Sequence, residues 1–236
     1  MSAEDFNPFP EGEWEDFNFQ PWNEAEWQKY LQGSRREVGD FIAIYKACKD
    51  KPGHIEQISR RMGWDYYPSY DQDFSDSDTS VSFKLPPNPG ADPSSNYESN
   101  AYYTFHRHPV YIFSTGLYTL LNEKLVQFAA SPASLPGRDW GIRFAHSFHH
   151  GEVNTVIALQ FLEMGDYPLT ICHLKLALSA LNKSFSILQE LEPYSPVNSA
   201  VFYKEAKRIL FDLREVWLHV IRDCREEIQD PSNEGD

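Results

Sequence analysis

What this sequence lacks excludes several kinds of protein. It has only three cysteines, Cys48, Cys172 and Cys224, and they form no CxxC pair. Each lies on an apolar helical face, so we expect three buried free thiols in a reducing compartment. No internal repeat of fixed period is present, which excludes a repeat architecture. No uninterrupted apolar run approaches the roughly 18 residues that a membrane span needs.

Signals for export and for common enzyme chemistry are also missing. The first residues, MSAEDFNPFPEGEWEDF, contain neither a basic segment nor an apolar segment, so we expect no signal peptide and a cytoplasmic protein. There is no G-x-S-x-G, no phosphate-binding loop, no dinucleotide fingerprint and no paired Cys and His with an orienting third group. These absences favour a protein that is not an enzyme and that carries no cofactor.

The charge balance bears on the choice of partner. Lysine and arginine number 21 against 35 aspartates and glutamates, and the formal net charge is −14. Such a surface repels phosphate backbones, so we expect no DNA binding. The content of 41% hydrophobic and 15% aromatic residues is ample for a packed core.

Composition and periodicity divide the chain into five segments. Residues 1–22 form an acidic aromatic arm, 23–64 an N-terminal helical extension, 65–104 a loop or linker rich in Asp, Ser, Pro and Tyr, 105–229 a helical bundle and 230–236 an acidic tail. The arm either drapes over its own domain or docks on a partner, because large rings rarely stay in water together. For the second case the partner-binding candidates are Trp14, Phe17 and Trp22.

Start signals and periodicity predict the helices. Asn23 with Glu26 makes a capping box for a helix reaching about Lys49, and HIEQISRRMGW predicts a shorter one. Four more follow: one with Pro109 at its first position, one from Asp139 to Met164, one from Tyr167 to Leu191, and one capped at Ser195-Pro196. Short connections favour antiparallel neighbours. The predicted fold is therefore all-α, an antiparallel up-down four-helix bundle with an N-terminal helical extension and a long acidic loop.

Three of the eight histidines lie within five residues, in the stretch RDWGIRFAHSFHHGEVN. Since each helical residue advances by about 100°, a core face can be assigned to Trp140, Phe144, Phe148, Thr155, Ala158, Leu159 and Leu162. Arg143, His146, His150 and Asn154 form a polar stripe beside it, whereas His149 points elsewhere with Glu152 on its flank. This pattern suits a helix that lines a cleft and equally suits a half-exposed helix.

Metal binding is one interpretation of the stripe. His146 and His150 have the i, i+4 spacing that lets two imidazoles reach one divalent ion. A di-iron bundle also needs glutamates from facing helices, and those helices offer only Glu123, Glu190 and His173.

Arg143 with the following histidines also resembles a known motif. R-x5-H to His149 and R-x6-H to His150 resemble the short Arg-x4–6-His motif of HEPN-type helical-bundle ribonucleases, over about eight residues. The resemblance implies a histidine that acts as acid or base on a ribose hydroxyl and an arginine that stabilises the phosphate. The stripe geometry makes His150 the partner of Arg143. Phe144 departs from the family, which tends to have a polar residue there.

LQFLEMGDYPLTICHLKLAL, Leu159 to Leu178, is similar to the middle of one tetratricopeptide repeat, with a GDY turn and the small Ala177. A single copy implies a packed helical hairpin and no repeat array, and His173 is then a packing histidine.

These observations leave three functions open. We expect a soluble acidic bundle that acts by protein association, with another protein or itself, or as a structural module in which an acidic segment lies on the cationic stripe. The alternatives are a HEPN-like ribonuclease or metal-binding bundle at Arg143, His146 and His150, and a small-molecule site in a cleft beside the second bundle helix.

Overall fold

The fold is all-helical throughout the part of the chain that the structure describes. This computed structural model describes residues 22–64, 105–130, 138–191 and 200–229, which hold six α-helices and no strand. The helices are α1 Glu24–Cys48, α2 His54–Met62, α3 Pro109–Ala129, α4 Arg138–Glu163, α5 Tyr167–Leu191 and α6 Ala200–Gln229, with a 3-10 turn at Phe105–Arg107 before α3. The all-α prediction is confirmed.

Local signals explain where the helices begin. The Asn23 side chain accepts a hydrogen bond from the Glu26 amide at 3.0 Å, and the Glu26 carboxylate accepts one from the Asn23 amide at 2.8 Å, so the predicted capping box is present. Pro109 opens α3 as expected, and His108 is its N-cap. The predicted cap at Ser195-Pro196 lies outside the described residues.

The core sits around α3, which packs against α1, α4 and α6. Its apolar residues share one continuous cluster with those of the other helices, with Trp217 of α6 fully buried at its centre. Trp217 Nε1 donates a hydrogen bond to the Ser114 hydroxyl of α3 at 3.3 Å, so the indole N–H is satisfied in the core.

The extension is part of the same core. Phe41 of α1 is fully buried and stacks on Trp64, which follows α2, with ring centroids 6.1 Å apart. Phe41 also contacts Phe113 of α3 at 5.2 Å and lies against Gly116, where a methyl group would not fit. Helices α1 and α2 are therefore fixed to the bundle by aromatic packing.

Helices α4 and α5 form a close antiparallel hairpin. The Ser147 and Ser184 hydroxyls are 2.5 Å apart, and Trp140 near the start of α4 donates to the Ile187 carbonyl near the end of α5 at 3.3 Å. A Cβ at Gly151 would make only ordinary contact with Ala180 of α5, at 3.7 Å, but would lie 2.7 Å from the Tyr118 hydroxyl of α3, so this glycine makes room for Tyr118. Gly165, with φ of 74°, makes the turn. The hairpin packing implied by the GDY segment is present.

One prediction about cysteine is wrong. Cys48 and Cys224 are buried thiols, but Cys172 is exposed. It follows Ile171, which is buried, and so lies just past the edge of the face that packs on the core.

Several predictions concern residues that the structure does not describe. These are the arm up to residue 21, the 65–104 loop or linker, and the tail. Among the described helices, none has both the length and the apolar content that crossing a membrane requires.

Candidate functional site

Helix α4 presents its faces as the 100° arithmetic predicts. All the predicted core residues are buried apart from Leu162, which is partly buried. Arg143, His146, His149 and His150 are exposed, whereas Asn154 at the end of the stripe is buried. The stripe is thus an outer helix face over its first two turns and a packed contact in its last.

The stripe is tied to α5 at both ends. The Arg143 guanidinium pairs with the Glu190 carboxylate at 2.8 Å, and each side chain is more than half exposed. Asn154 donates to the His150 carbonyl at 2.8 Å, and its Oδ1 lies 3.1 Å from Nδ1 of His173. The His173 ring stacks on Phe161 at 5.6 Å, as a packing histidine would.

These contacts bear on the two chemical interpretations. Within the described ranges, no group of three or more His, Cys, Asp or Glu side chains is placed to hold a metal ion. The facing acids are engaged elsewhere, Glu190 with Arg143 and Glu123 with Lys46 at 3.6 Å. Metal binding at His146 and His150 and RNA cleavage by Arg143 and His150 stay predictions.

Trp22 is the one partner-binding candidate among the described residues. Its ring lies 4.9 Å from that of Trp27 and 5.5 Å from that of Tyr30, both on α1. Trp14 and Phe17 lie outside the described residues.

Comparison with known proteins adds no assignment. No known family, curated protein or solved structure matches this chain.

A buried polar cluster that sequence reasoning missed joins α1, α2 and α6. Tyr45 donates its hydroxyl hydrogen to Oδ2 of Asp212 at 2.6 Å. The other carboxylate oxygen, Oδ1, lies 3.1 Å from Nε2 of His54 and forms an ion pair with the imidazole when the ring is protonated. Tyr45 is 1% and Asp212 4% exposed, so the carboxylate is removed from water and held by these two partners.

Further charged pairs between the end of α1 and α6 lie near this cluster. Lys49 of α1 pairs with Glu205 of α6, and Arg208 pairs with Asp50 at 2.7 Å and with Glu205 at 3.5 Å. The only signal in the sequence is a charged residue, Asp212, among the apolar residues of the ILFDLREV segment. The cluster fixes the extension onto α6.

The cluster changes proton affinities. Contact with the Asp212 carboxylate raises the pKa of His54 above its ordinary 6.5, against the opposing effect of burial. Burial, with a contribution from the Asp212 charge, raises the pKa of Tyr45, so its hydroxyl stays a donor. His108 behaves oppositely: burial lowers its pKa from 6.5 to about 4. Its Nδ1 accepts the Val110 amide at 3.1 Å, which requires that nitrogen to be unprotonated.

We expect His54 and His108 to titrate on opposite sides of pH 6.5 in an NMR titration of the imidazole rings. The folded state binds the His54 proton more tightly than the unfolded chain, so its contribution to stability is complete below pH 6.5 and is lost as pH rises through the folded pKa. His108 contributes above pH 6.5, and this is lost as pH falls toward 4. In Asp212→Asn the His54 midpoint should fall while that of His108 stays. An ordinary midpoint for His108 would contradict the buried cap.

The outer face of α6 combines two exposed apolar side chains, one of them aromatic, with basic charge. Phe211 is 55% and Leu218 42% exposed, one heptad apart, and the Phe211 ring lies 4.7 Å from that of Phe185 on α5. With Phe211 at 0° and about 100° per residue, the sector from about −60° to +20° contains no acid. It holds Phe211 and Leu218 together with Lys204, Lys207, Arg214, Arg222 and Arg225.

The charges of α6 are therefore segregated. The neighbouring sector, from about +40° to +120°, faces α1 and carries most of the acids: Glu205, Asp212, Glu215, Asp223 and Glu226. Arg208 is the one arginine or lysine of α6 in this sector, and it pairs with Asp50 and Glu205. Arg222 pairs with Asp223 at 3.6 Å and Glu226 at 3.8 Å across the boundary. We call the sector with Phe211, Leu218 and the five basic residues the basic aromatic face.

Proposed function

We propose that this protein acts by association with another protein chain, through the basic aromatic face of α6 and the adjoining Phe185 of α5. The observation that carries the proposal is the exposure of Phe211 and Leu218 on one helix face among basic residues. Aromatic and arginine side chains together are what protein interfaces are enriched in. Such a face suits a partner segment with acidic and apolar residues.

The contacts of the α4 stripe do not favour catalysis there. Arg143 is the single arginine or lysine of the stripe, and it already faces the Glu190 carboxylate. The histidines lie on an outer helix face, where water competes for every charge and transition-state stabilisation is weakest.

The bundle topology is part of the proposal. We propose that α3 to α6 are arranged up and down, each antiparallel to its neighbours. Contacts that pair the start of one helix with the end of another support this arrangement: for α3 with α4, Phe128–Trp140 and Tyr118–Phe148, and for α3 with α6, Phe128–Phe202 and Ser114–Trp217.

The free thiols of Cys48, Cys172 and Cys224 support the proposal of a cytoplasmic location, and the net charge of −14 supports the absence of DNA binding.

Photo-crosslinking tests the proposed surface. A photoreactive residue at position 218 should give adducts with a second polypeptide, either another copy of this protein or a different one, whereas the same residue at Ile142, exposed on α4, should give none. Arg214→Glu should weaken the adduct by reversing charge, because exposed Arg214 lies in the same sector. Equal adducts at both positions, or none at 218, would contradict the proposal. So would RNA cleavage by the intact chain that His150→Ala abolishes.

A further inference from the structure

The basic aromatic face needs an occupant that is acidic and aromatic at once. Residues 1–21 of this chain have that composition. They contain six acids and neither lysine nor arginine: Glu4, Asp5, Glu11, Glu13, Glu15 and Asp16. They also contain five aromatic residues, Phe6, Phe9, Trp14, Phe17 and Phe19. We infer that this N-terminal segment docks along the basic aromatic face of α6 in its own chain, as an intramolecular competitor for the surface that the proposed function uses.

The attachment point of the segment suits this docking. Tyr45 of α1 meets Asp212 of α6, and four residues later Lys49 meets Glu205, so the two helices run in opposite directions. The first residues of α1 therefore lie level with the last residues of α6. The segment therefore enters at the end of the bundle where α6 and its basic aromatic face finish.

The length of the segment is sufficient. Twenty-one extended residues reach about 70 Å, whereas the 30-residue α6 is about 45 Å long. Crossing from the α1 side of α6 to its basic sector takes roughly one helix diameter, about 10 Å. The segment can thus follow the whole face with length to spare.

Charge distinguishes this face from the α4 stripe as the docking site. The α6 sector carries five arginines and lysines, of which Arg222 pairs with acids of its own helix, whereas the α4 stripe carries only Arg143, which is paired with Glu190. The exposed Phe211 ring and the partly buried Phe185 ring form a pair where arm aromatics can pack, and the α4 stripe has no such pair among its members. Because several exposed charges contribute together, docking should weaken as salt rises.

Paramagnetic relaxation in the full-length protein tests the inference. A nitroxide is attached through Gly12→Cys in a Cys172→Ser background, which removes the exposed native thiol and leaves Cys48 and Cys224 buried. We expect the amides of Phe211, Arg214 and Leu218 to lose more than half of their intensity, and those of Ile142 and His146 to keep theirs. Raising sodium chloride to about 0.5 M, where the screening length is only a few ångströms, should reduce the loss.

Matched double variants identify the surface. Phe211→Ser with Arg214→Glu should abolish the broadening on α6, whereas Ile142→Ser with Arg143→Glu, the equivalent change on α4, should not. All four side chains are exposed, so the bundle should keep its spectrum elsewhere. Broadening on α4 in place of α6, or on neither helix, would overturn the inference.

A mixed sample distinguishes docking of the segment within its own chain from docking on a second copy. Isotope-labelled protein without nitroxide is mixed with unlabelled protein that carries it, and we expect no broadening. Broadening in this mixture would show that the segment of another copy binds, which overturns intramolecular docking.

This inference rests on the proposed association surface but can fail alone: crosslinks from position 218 to another protein without relaxation on α6 would leave the proposed function standing. The opposite result is relaxation on α6 without crosslinks from position 218, even in full-length protein with Glu13→Gln and Glu15→Gln, in which the docked segment is weakened. That result would support the docking and contradict the proposed function.

Discussion

Replacement of Asp212 by alanine is expected to lower the free energy of unfolding by about 3–5 kcal/mol, the cost of removing one partner of a buried charged pair. The substitution leaves the Tyr45 hydroxyl without its acceptor and His54 without its counter-charge. Denaturant unfolding at neutral pH, followed by circular dichroism and tryptophan fluorescence, measures the change. Glu215→Ala on the same helix is the matched control, because Glu215 is exposed and its loss should cost no more than about 0.5 kcal/mol.

A double-mutant cycle assigns the effect. If the Tyr45–Asp212 hydrogen bond is the main loss, Tyr45→Phe combined with Asp212→Ala should cost less than the sum of the two single changes, with a coupling of about 0.5–3 kcal/mol. Asp212→Asn should fall between wild type and alanine, since its amide oxygen still accepts from Tyr45 while the charge is lost. Similar losses for Asp212→Ala and Glu215→Ala would show that the cluster does not hold the extension in place.

Two glycine-to-alanine substitutions should shift stability in opposite directions. At Gly116 a Cβ would lie 2.3 Å from Cδ1 and 2.6 Å from Cε1 of Phe41. That ring is fully buried and confined by Trp64 and Phe113, so it has little room to move. We expect Gly116→Ala to destabilise the protein by about 1–3 kcal/mol, as overpacking does, despite the gain in helix propensity.

Gly39 is the matched control on α1. It is exposed, and a Cβ there would meet nothing within 4 Å. Gly39→Ala should therefore stabilise the protein by about 0.5–1 kcal/mol through helix propensity alone. Thermal and denaturant unfolding of both variants measure the difference. Adding Phe41→Leu to Gly116→Ala should recover part of the loss by making room, and an unchanged or stabilised Gly116→Ala would mean that the α1–α3 contact is looser than the structure has it.

Local chemistry was enough to predict most helix boundaries. The capping box at Asn23, the proline at the start of α3 and the glycine turn before α5 act within a few residues of the boundary that each sets. The core face of α4 was predictable for the same reason, since helical periodicity fixes which side chains share a face. The boundaries before α6 and the segments on either side of the bundle remain predictions.

Contacts between segments that are far apart in the sequence cannot be predicted from local patterns. Asp212 appears in sequence as a charge that interrupts an apolar pattern, and its partner Tyr45 lies 167 residues away. The ion pair between Arg143 and Glu190 depends on the register of α4 against α5, which the contacts Ser147–Ser184 and Trp140–Ile187 fix across the hairpin. The prediction that Cys172 is buried is wrong because periodicity gives the direction of the buried face of α5 more reliably than its width.

The segregation of charge on α6 could have been found in the sequence. The same advance of about 100° per residue places all the arginines and lysines of α6 except Arg208 in one sector and most of its acids in the next. What periodicity does not give is which sector faces water. That requires the packing of α5 and α1 on either side, and it is the exposure of Phe211 and Leu218 that makes the basic sector a candidate surface.

The buried cluster also sets an order of events during synthesis. Phe41, Tyr45 and His54 leave the ribosome long before Asp212, since Tyr45 precedes it by 167 residues. At about 5–20 residues per second, the nascent chain spends roughly 8–30 s with Tyr45 and His54 made and their carboxylate partner on α6 not yet translated. The apolar side of α1 can meet α3 earlier, but the polar contact of the extension must wait for nearly the whole chain, and this interval is where a chaperone would find it.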